Sequence, residues 1–135
     1  MLQRKEISIA RKREDSKVKA SKLLDFVSEK KAEKPVILDV RDLFKICDYF
    51  VICSAETAKQ VRAIYEGVIK RCREFKIDIH HCEDDPENKW ILVDLFDVIL
   101  HIFIDQVRNF YNLEYLYKSA KHLRVTKKKK LSFSP

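Results

Sequence analysis

The run Tyr49-Phe50-Val51-Ile52-Cys53-Ser54-Ala55 constrains the fold of this chain more than any other stretch. Side chains alternate between the two faces of a strand, and here both faces are apolar. Such a strand needs cover on both sides, so the run predicts the interior of a sheet flanked by helices. Val36 to Val40, rich in β-branched residues, predicts a neighbouring strand. A chain of 135 residues with 46% apolar content can bury the core this requires, as one domain.

Helical periodicity brackets these strands. Between Ser16 and Lys34, residues Ala20, Leu23, Leu24 and Val27 recur on one face. Ser16 reads as the N-cap. Pro35 reads as the stop, because its ring disfavours helical geometry at Lys34. In the segment 56–75, Val61, Ile64, Tyr65, Val68, Cys72 and Phe75 share a second apolar face. Thr57 and Gln60 form a capping-box pattern in which the hydroxyl accepts from an early backbone N–H and the glutamine reaches back. Gly67, the only glycine, lies mid-helix at about 1 kcal/mol below alanine, and close packing is the expected reason.

A third strand is expected over Lys76 to Glu83, then a turn through Pro86 and Asn88. Trp90 to Asp97 and Val98 to Ile104 read as a hairpin that lacks the usual turn glycine. Asp105 is placed to cap one helix, and Asn112 to cap another running from Leu113 to Leu123. The order is α-β-β-α-β-β-β-α. It describes an α/β domain with a mixed sheet of about five strands flanked by helices, the last three antiparallel.

Charge divides the chain. Residues 1–34 carry 11 Lys/Arg against 6 Asp/Glu, residues 35–117 carry 10 against 15, and residues 118–135 carry 7 against none. Residues 1–15 therefore read as a flexible basic arm, 16–123 as the folded domain, and 124–135 as a disordered lysine-rich tail. An acidic body is unlike a nucleic-acid-binding face. It suits a basic protein surface, with tails drawn to phosphate, although tails of this kind also simply maintain solubility. Apolar runs are far below the ~18 residues of a membrane span, and no secretory signal is visible. Cys47, Cys53, Cys72 and Cys82 have no C-x-x-C pairing, which points to free thiols and a cytoplasmic protein.

Signals for chemistry are few. Adjacent His80 and His81 would point to opposite faces of a strand, and no second cluster has zinc-type spacing, so no metal is expected. Phosphate loops and dinucleotide fingerprints need several glycines, and no cofactor is expected. Asp94 and Asp97 flank the hairpin turn and could hold Mg²⁺ in a nucleotidyltransferase. That class uses Gly-Ser at a helix start and an acidic-x-acidic pair, where this chain reads SAET and DLFD. Turn capping or partner contact is the favoured role. A free RNA-binding module is the other alternative, but the basic ends lack interleaved aromatics. His101 sits on an apolar strand face and reads as a buried, hydrogen-bonded histidine, with a carboxylate such as Asp48 as candidate partner. Trp90, Tyr111 and Leu113 are candidate interface anchors, with core packing as the alternative.

Asp48-Tyr49-Phe50-Val51-Ile52, Thr57 with Gln60 and Val61, Trp90 with Asp94 and Asp97, His101 with Phe103, Arg108, and Tyr111-Asn112-Leu113-Glu114 with Leu116 together form a specific arrangement. Over about residues 23–117 the chain resembles the ribosomal silencing factor, or Iojap-like, family. The resemblance implies a nucleotidyltransferase-like fold without the catalytic motif, and no enzymatic activity. It implies binding to the large ribosomal subunit through that subunit's protein fourteen, which blocks joining of the small subunit and represses translation. Partner-binding roles would fall to Trp90, Asp94, Asp97, Tyr111, Asn112, Leu113 and Glu114, with His101, Thr57 and Gln60 as structural support. Auxiliary rRNA contact through the basic tails and a homodimer in isolation are also compatible with it. The chain departs from the family pattern at Ala55 and Phe96, both usually glycine, and at Thr57, usually serine. It also lacks the Glu-Gly usual before Trp90.

Overall fold

All seven residues of the strand Tyr49–Ala55 are buried, as two-sided apolarity requires. The computed structural model describes residues 2–45, 47–118 and 121–123. In chain order the elements are α1 (Leu2–Glu29), β1 (Glu33–Asp39), β2 (Tyr49–Ala55), α2 (Ala58–Glu74), β3 (His81–Glu83), β4 (Trp90–Asp94), β5 (Val98–Ile104), α3 (Asp105–Tyr111), α4 (Leu113–Leu116) and β6 (Lys121–Leu123). The strands form one mixed sheet in the order β3-β4-β5-β2-β1-β6. Among the described residues only β2 and β5 run parallel, and β3-β4-β5 is the antiparallel meander expected from its short connections.

Alternation sorts the core into two layers. Tyr49, Val51, Cys53 and Ala55 of β2 face α1 and α2 with Val98, Leu100 and Ile102 of β5. Leu23 and Val27 of α1 and Val61, Ile64 and Val68 of α2 complete this layer. Each such side chain contributes roughly 1.5–3 kcal/mol on burial. Phe50 and Ile52 face the opposite way with Leu38 and Phe103. That layer is smaller and is closed by Trp90, Val107, Leu113 and Tyr117.

Both long helices stop without glycine. Lys31 adopts φ 61, and the N–H groups of Lys31 and Ala32 donate to Ser28 O and Val27 O. Lys76 repeats this at the end of α2 with φ 57, donating to Arg73 O while Ile77 donates to Cys72 O. These are left-handed caps that satisfy the last carbonyls. The stop of α1 is therefore Lys31 and not Pro35, which lies inside β1 at a register shift that spares its missing N–H. Ser16 is not an N-cap either, because α1 begins at Leu2. The third strand is shorter than the expected 76–83 because the cap at Lys76 occupies its start.

Thr57 does cap α2, its Oγ1 accepting from Gln60 N at 3.1 Å. The reciprocal half of the box is absent. Gln60 Nε2 donates instead to Lys30 O and ties the start of α2 to the end of α1. Gly67 faces Lys30, and a Cβ there would lie 2.5 Å from Lys30 Cε and 2.9 Å from Cγ. The close approach expected at this glycine is therefore present, against the stem of an exposed lysine.

At the C-terminal end, Asp105 is the first residue of α3, and Ile104 is its cap without a side-chain bond. The helix expected from Leu113 to Leu123 ends after one turn, and β6 pairs with β1 instead. The open edge of β1 offers ladder bonds that a continued helix would leave unused. The lysine-rich segment 124–135 lies outside the described residues.

Candidate functional site

Trp90 opens β4 on the face away from α1 and α2. Its ring packs on Phe103 at 4.8 Å and on Tyr111 at 4.9 Å between centroids. Its Nε1 donates to His101 Nδ1 at 3.2 Å. An accepting Nδ1 places the proton of neutral His101 on Nε2. Burial holds the His101 pKa down at about 4, so the ring is neutral at physiological pH. Nε2 has no hydrogen-bond partner among the described residues, and the ring meets Phe50 edge-on at 4.9 Å. Asp48 is not the partner of His101. Parallel register sets His101 opposite Ile52, four residues along β2 from the Asp48 end, and Asp48 Oδ2 accepts from Ser16 Oγ at 2.8 Å.

The loop before Trp90 is held without its Glu-Gly. Asp85 accepts from the N–H groups of Glu87, Lys89 and Trp90 at 3.0, 3.0 and 3.4 Å. These bonds, Glu87 first, keep its carboxyl below the ordinary range. Asn88 takes φ 57, the conformation a glycine would otherwise supply, and its Oδ1 accepts from Arg62 Nε.

The turn from α3 to α4 completes the platform. Asn112 adopts φ 47, ψ 59, ends α3 by donating to Arg108 O at 2.8 Å, and caps α4 through Oδ1 and Tyr115 N. The expected capping role of Asn112 is therefore present, on a much shorter helix. Phe110 is 81% exposed, Tyr115 63% and Tyr111 47%, whereas Leu113 packs on the second layer. Glu114 Oε1 accepts from Nε of the buried Arg108 at 3.1 Å. Arg108 Nη1 also reaches Glu33 O at 3.2 Å and Ser54 Oγ at 2.9 Å, and Nη2 reaches Lys34 O at 2.8 Å.

Asp94 and Asp97 lie apart from this platform. β4 carries Asp94 about 13 Å from Trp90 at the usual strand rise. Asp94 Oδ1 accepts from Phe96 N at 2.9 Å, and Asp97 Oδ1 pairs with Lys19 Nζ at 2.7 Å. The hairpin closes with Phe96 at φ 76, so the missing turn glycine is replaced by a strained, half-exposed phenylalanine whose ring meets His80 at a tilt, 4.8 Å between centroids. The structure thus gathers Trp90, His101, Tyr111, Asn112, Leu113 and Glu114 at one end of β4 and β5. It sets Asp94 and Asp97 at the other end, and Thr57 and Gln60 at the start of α2. The four cysteines are free. Burial raises the thiol pKa of Cys47 and Cys53 to about 12 and of Cys72 to about 11, which makes them poor nucleophiles. His81 pairs with Glu83 on an exposed strand, away from His80.

The grouping of Arg108 with Ser54 and Glu114 has no pattern in the sequence. The one available signal is an arginine six residues before a glutamate with Asn112 between them, a break that folds Glu114 back over α3.

Comparison with known proteins gives a consistent picture. A family model described as ribosomal silencing factor during starvation matches residues 13–134. The ribosomal silencing factor RsfS of Halalkalibacterium halodurans is 39% identical over 94 residues, covering 70% of this chain and 80% of that protein. The chloroplastic protein Iojap of Zea mays is 36% identical over 101 residues, covering 75% of this chain and 44% of that protein. A crystal structure of a Bacillus halodurans protein superposes with a TM-score of 0.69 at 32% identity, covering 82% of this chain and 99% of that one. No helix among the described residues is long and apolar enough to cross a membrane.

Proposed function

Because the chain belongs to the ribosomal silencing factor family, we propose that it represses translation by docking on the large ribosomal subunit through that subunit's protein fourteen. Its bulk then sterically blocks association with the small subunit. The observation that carries this reading is the aromatic platform of partly buried Trp90 and exposed Tyr111, backed by buried Phe103 and His101. Large aromatic side chains on a rigid base are the usual anchors of protein interfaces. Trp90, Tyr111 and Leu113 are the apolar contacts, Asn112 shapes the turn, and Glu114 lies at its edge. Asp94 and Asp97, at the opposite end of the hairpin, serve as a separate acidic contact. The acidic balance of residues 35–117 complements a basic ribosomal protein. The basic ends, residues 1–15 and 124–135, add sequence-independent rRNA contact by counterion release.

The mechanism needs no catalytic step, no metal and no cofactor, and it operates in the cytoplasm. Co-sedimentation with isolated large subunits, run beside a subunit-joining assay, tests it. Co-sedimentation with loss of joining is the expected result. Absence of binding, or binding that leaves joining intact, overturns it.

A further inference from the structure

Arg108 is placed unlike any other cation among the described residues. It is 6% exposed, yet four of its five N–H groups are engaged by Glu33 O, Lys34 O, Ser54 Oγ and Glu114 Oε1. The first three acceptors belong to the start of β1 and the end of β2, inside the sheet. The fourth lies in α4, beyond the turn. The backbone of Arg108 acts on the same turn, because its carbonyl accepts from Asn112 N at 2.8 Å. One residue therefore grips the α3–α4 turn at both ends, Asn112 through the main chain and Glu114 through the guanidinium. Tyr111 lies immediately before the first grip and Leu113 between the two.

We infer that Arg108 is a positioning residue that latches the Tyr111–Glu114 turn to the sheet, and that Glu114 serves docking through Arg108 and not by its own contact with the partner. The inference rests on the docking reading above for its consequence, but not for its geometry. A planar guanidinium with fixed donor directions can hold three strand acceptors and one helix acceptor at once, which a lysine cannot. The alternative conformation of the turn would leave a buried charge without its carboxylate, so the latch keeps the turn in one state. Ser54 is 2% exposed and cannot touch a partner, so it reports on the latch alone.

The test uses the full chain and two readouts, amide exchange at Asn112 and Tyr115 and affinity for isolated large subunits. Arg108→Ala removes a buried charge and can abolish folding, so the informative variants are Ser54→Ala, Glu114→Ala and Glu114→Gln. Glutamine keeps the oxygen that accepts from Arg108 but removes the charge. Ser54→Ala and Glu114→Ala are expected to speed exchange at Asn112 and Tyr115 and to weaken binding, each about tenfold, with the amides of β2 and β5 unchanged. Glu114→Gln is expected to fall between wild type and Glu114→Ala, with exchange and affinity moving together, because a neutral oxygen still accepts from Arg108 but more weakly. Unchanged exchange in the two alanine variants overturns the latch. So does a Glu114→Gln variant that loses affinity with exchange intact, because Glu114 would then be a direct charge contact. If the wild-type protein does not bind large subunits, the docking reading fails, and the exchange data alone still decide the latch.

Discussion

Trp90 Nε1 and His101 Nδ1 share a 3.2 Å hydrogen bond that joins the half-exposed start of β4 to a buried ring on β5. The two residues occupy the same sheet face, Trp90 opposite Phe103 and His101 opposite Leu92. The bond sets the tautomer of the histidine and the rotation of the indole together. It makes the aromatic platform part of the core as much as of the surface.

His101 should make stability depend on pH. Its folded pKa, about 4, lies below the ordinary 6.5 because burial disfavours the charged ring. The unfolded chain then binds the proton more readily, so the stability from keeping His101 neutral is complete above pH 6.5 and is lost as pH falls toward 4. The loss should be roughly 3 kcal/mol across that window. Urea unfolding at stepped pH, compared with His101→Gln, measures it. The glutamine variant should lack this component, and identical pH slopes in the two proteins would refute the assignment.

Trp90 separates anchoring from packing. Trp90→Phe keeps the ring against Tyr111 and Phe103 but leaves His101 Nδ1 unpaired, with an expected destabilisation of about 1–2 kcal/mol. Trp90→Ala also removes the ring contacts, for about 3 kcal/mol or more. Denaturant titration gives both values. Large-subunit binding should persist in folded Trp90→Phe and fall steeply in folded Trp90→Ala.

Phe96 is strained at φ 76 and gains little from burial. Phe96→Gly should raise stability by about 1 kcal/mol, because glycine adopts this conformation freely. The lost contact with His80 is exposed and offsets only part of the gain. A lower melting temperature in Phe96→Gly would show that the His80 contact outweighs the strain.

Gly67→Ala tests the contact with Lys30. Alanine favours the helix by about 1 kcal/mol, but its Cβ meets the Lys30 stem. Lys30 is exposed and its side chain can swing into solvent, so the expected net effect is between neutral and about 1 kcal/mol stabilising. A clear loss of stability would mean that the lysine stem is fixed in place.

The sequence by itself determined the features that depend on neighbours along the chain. Two-sided apolarity placed β2 in the interior, the 3.6-residue period set the buried face of α2, and the Thr57 hydroxyl marked its start. Short connections made β3, β4 and β5 an antiparallel meander. These are local statements, carried by spacing and capping chemistry. Helix stops were harder to read because left-handed positions usually advertise themselves as glycine. Here Lys31, Lys34, Lys76, Asn88, Phe96 and Asn112 fill them, and surrounding contacts impose the conformation that composition does not announce.

Tertiary structure alone decided which polar groups meet. Arg108 reaches Ser54 across 54 residues and Glu33 across 75, and His101 finds Trp90 where the sequence suggested a carboxylate such as Asp48. It also decided that the chain after Tyr117 returns to the sheet as β6. A buried donor takes whichever acceptor the strand register and helix docking bring within about 3 Å. That choice depends on packing among distant segments, whereas the apolar pattern that drives the packing is written into each segment separately.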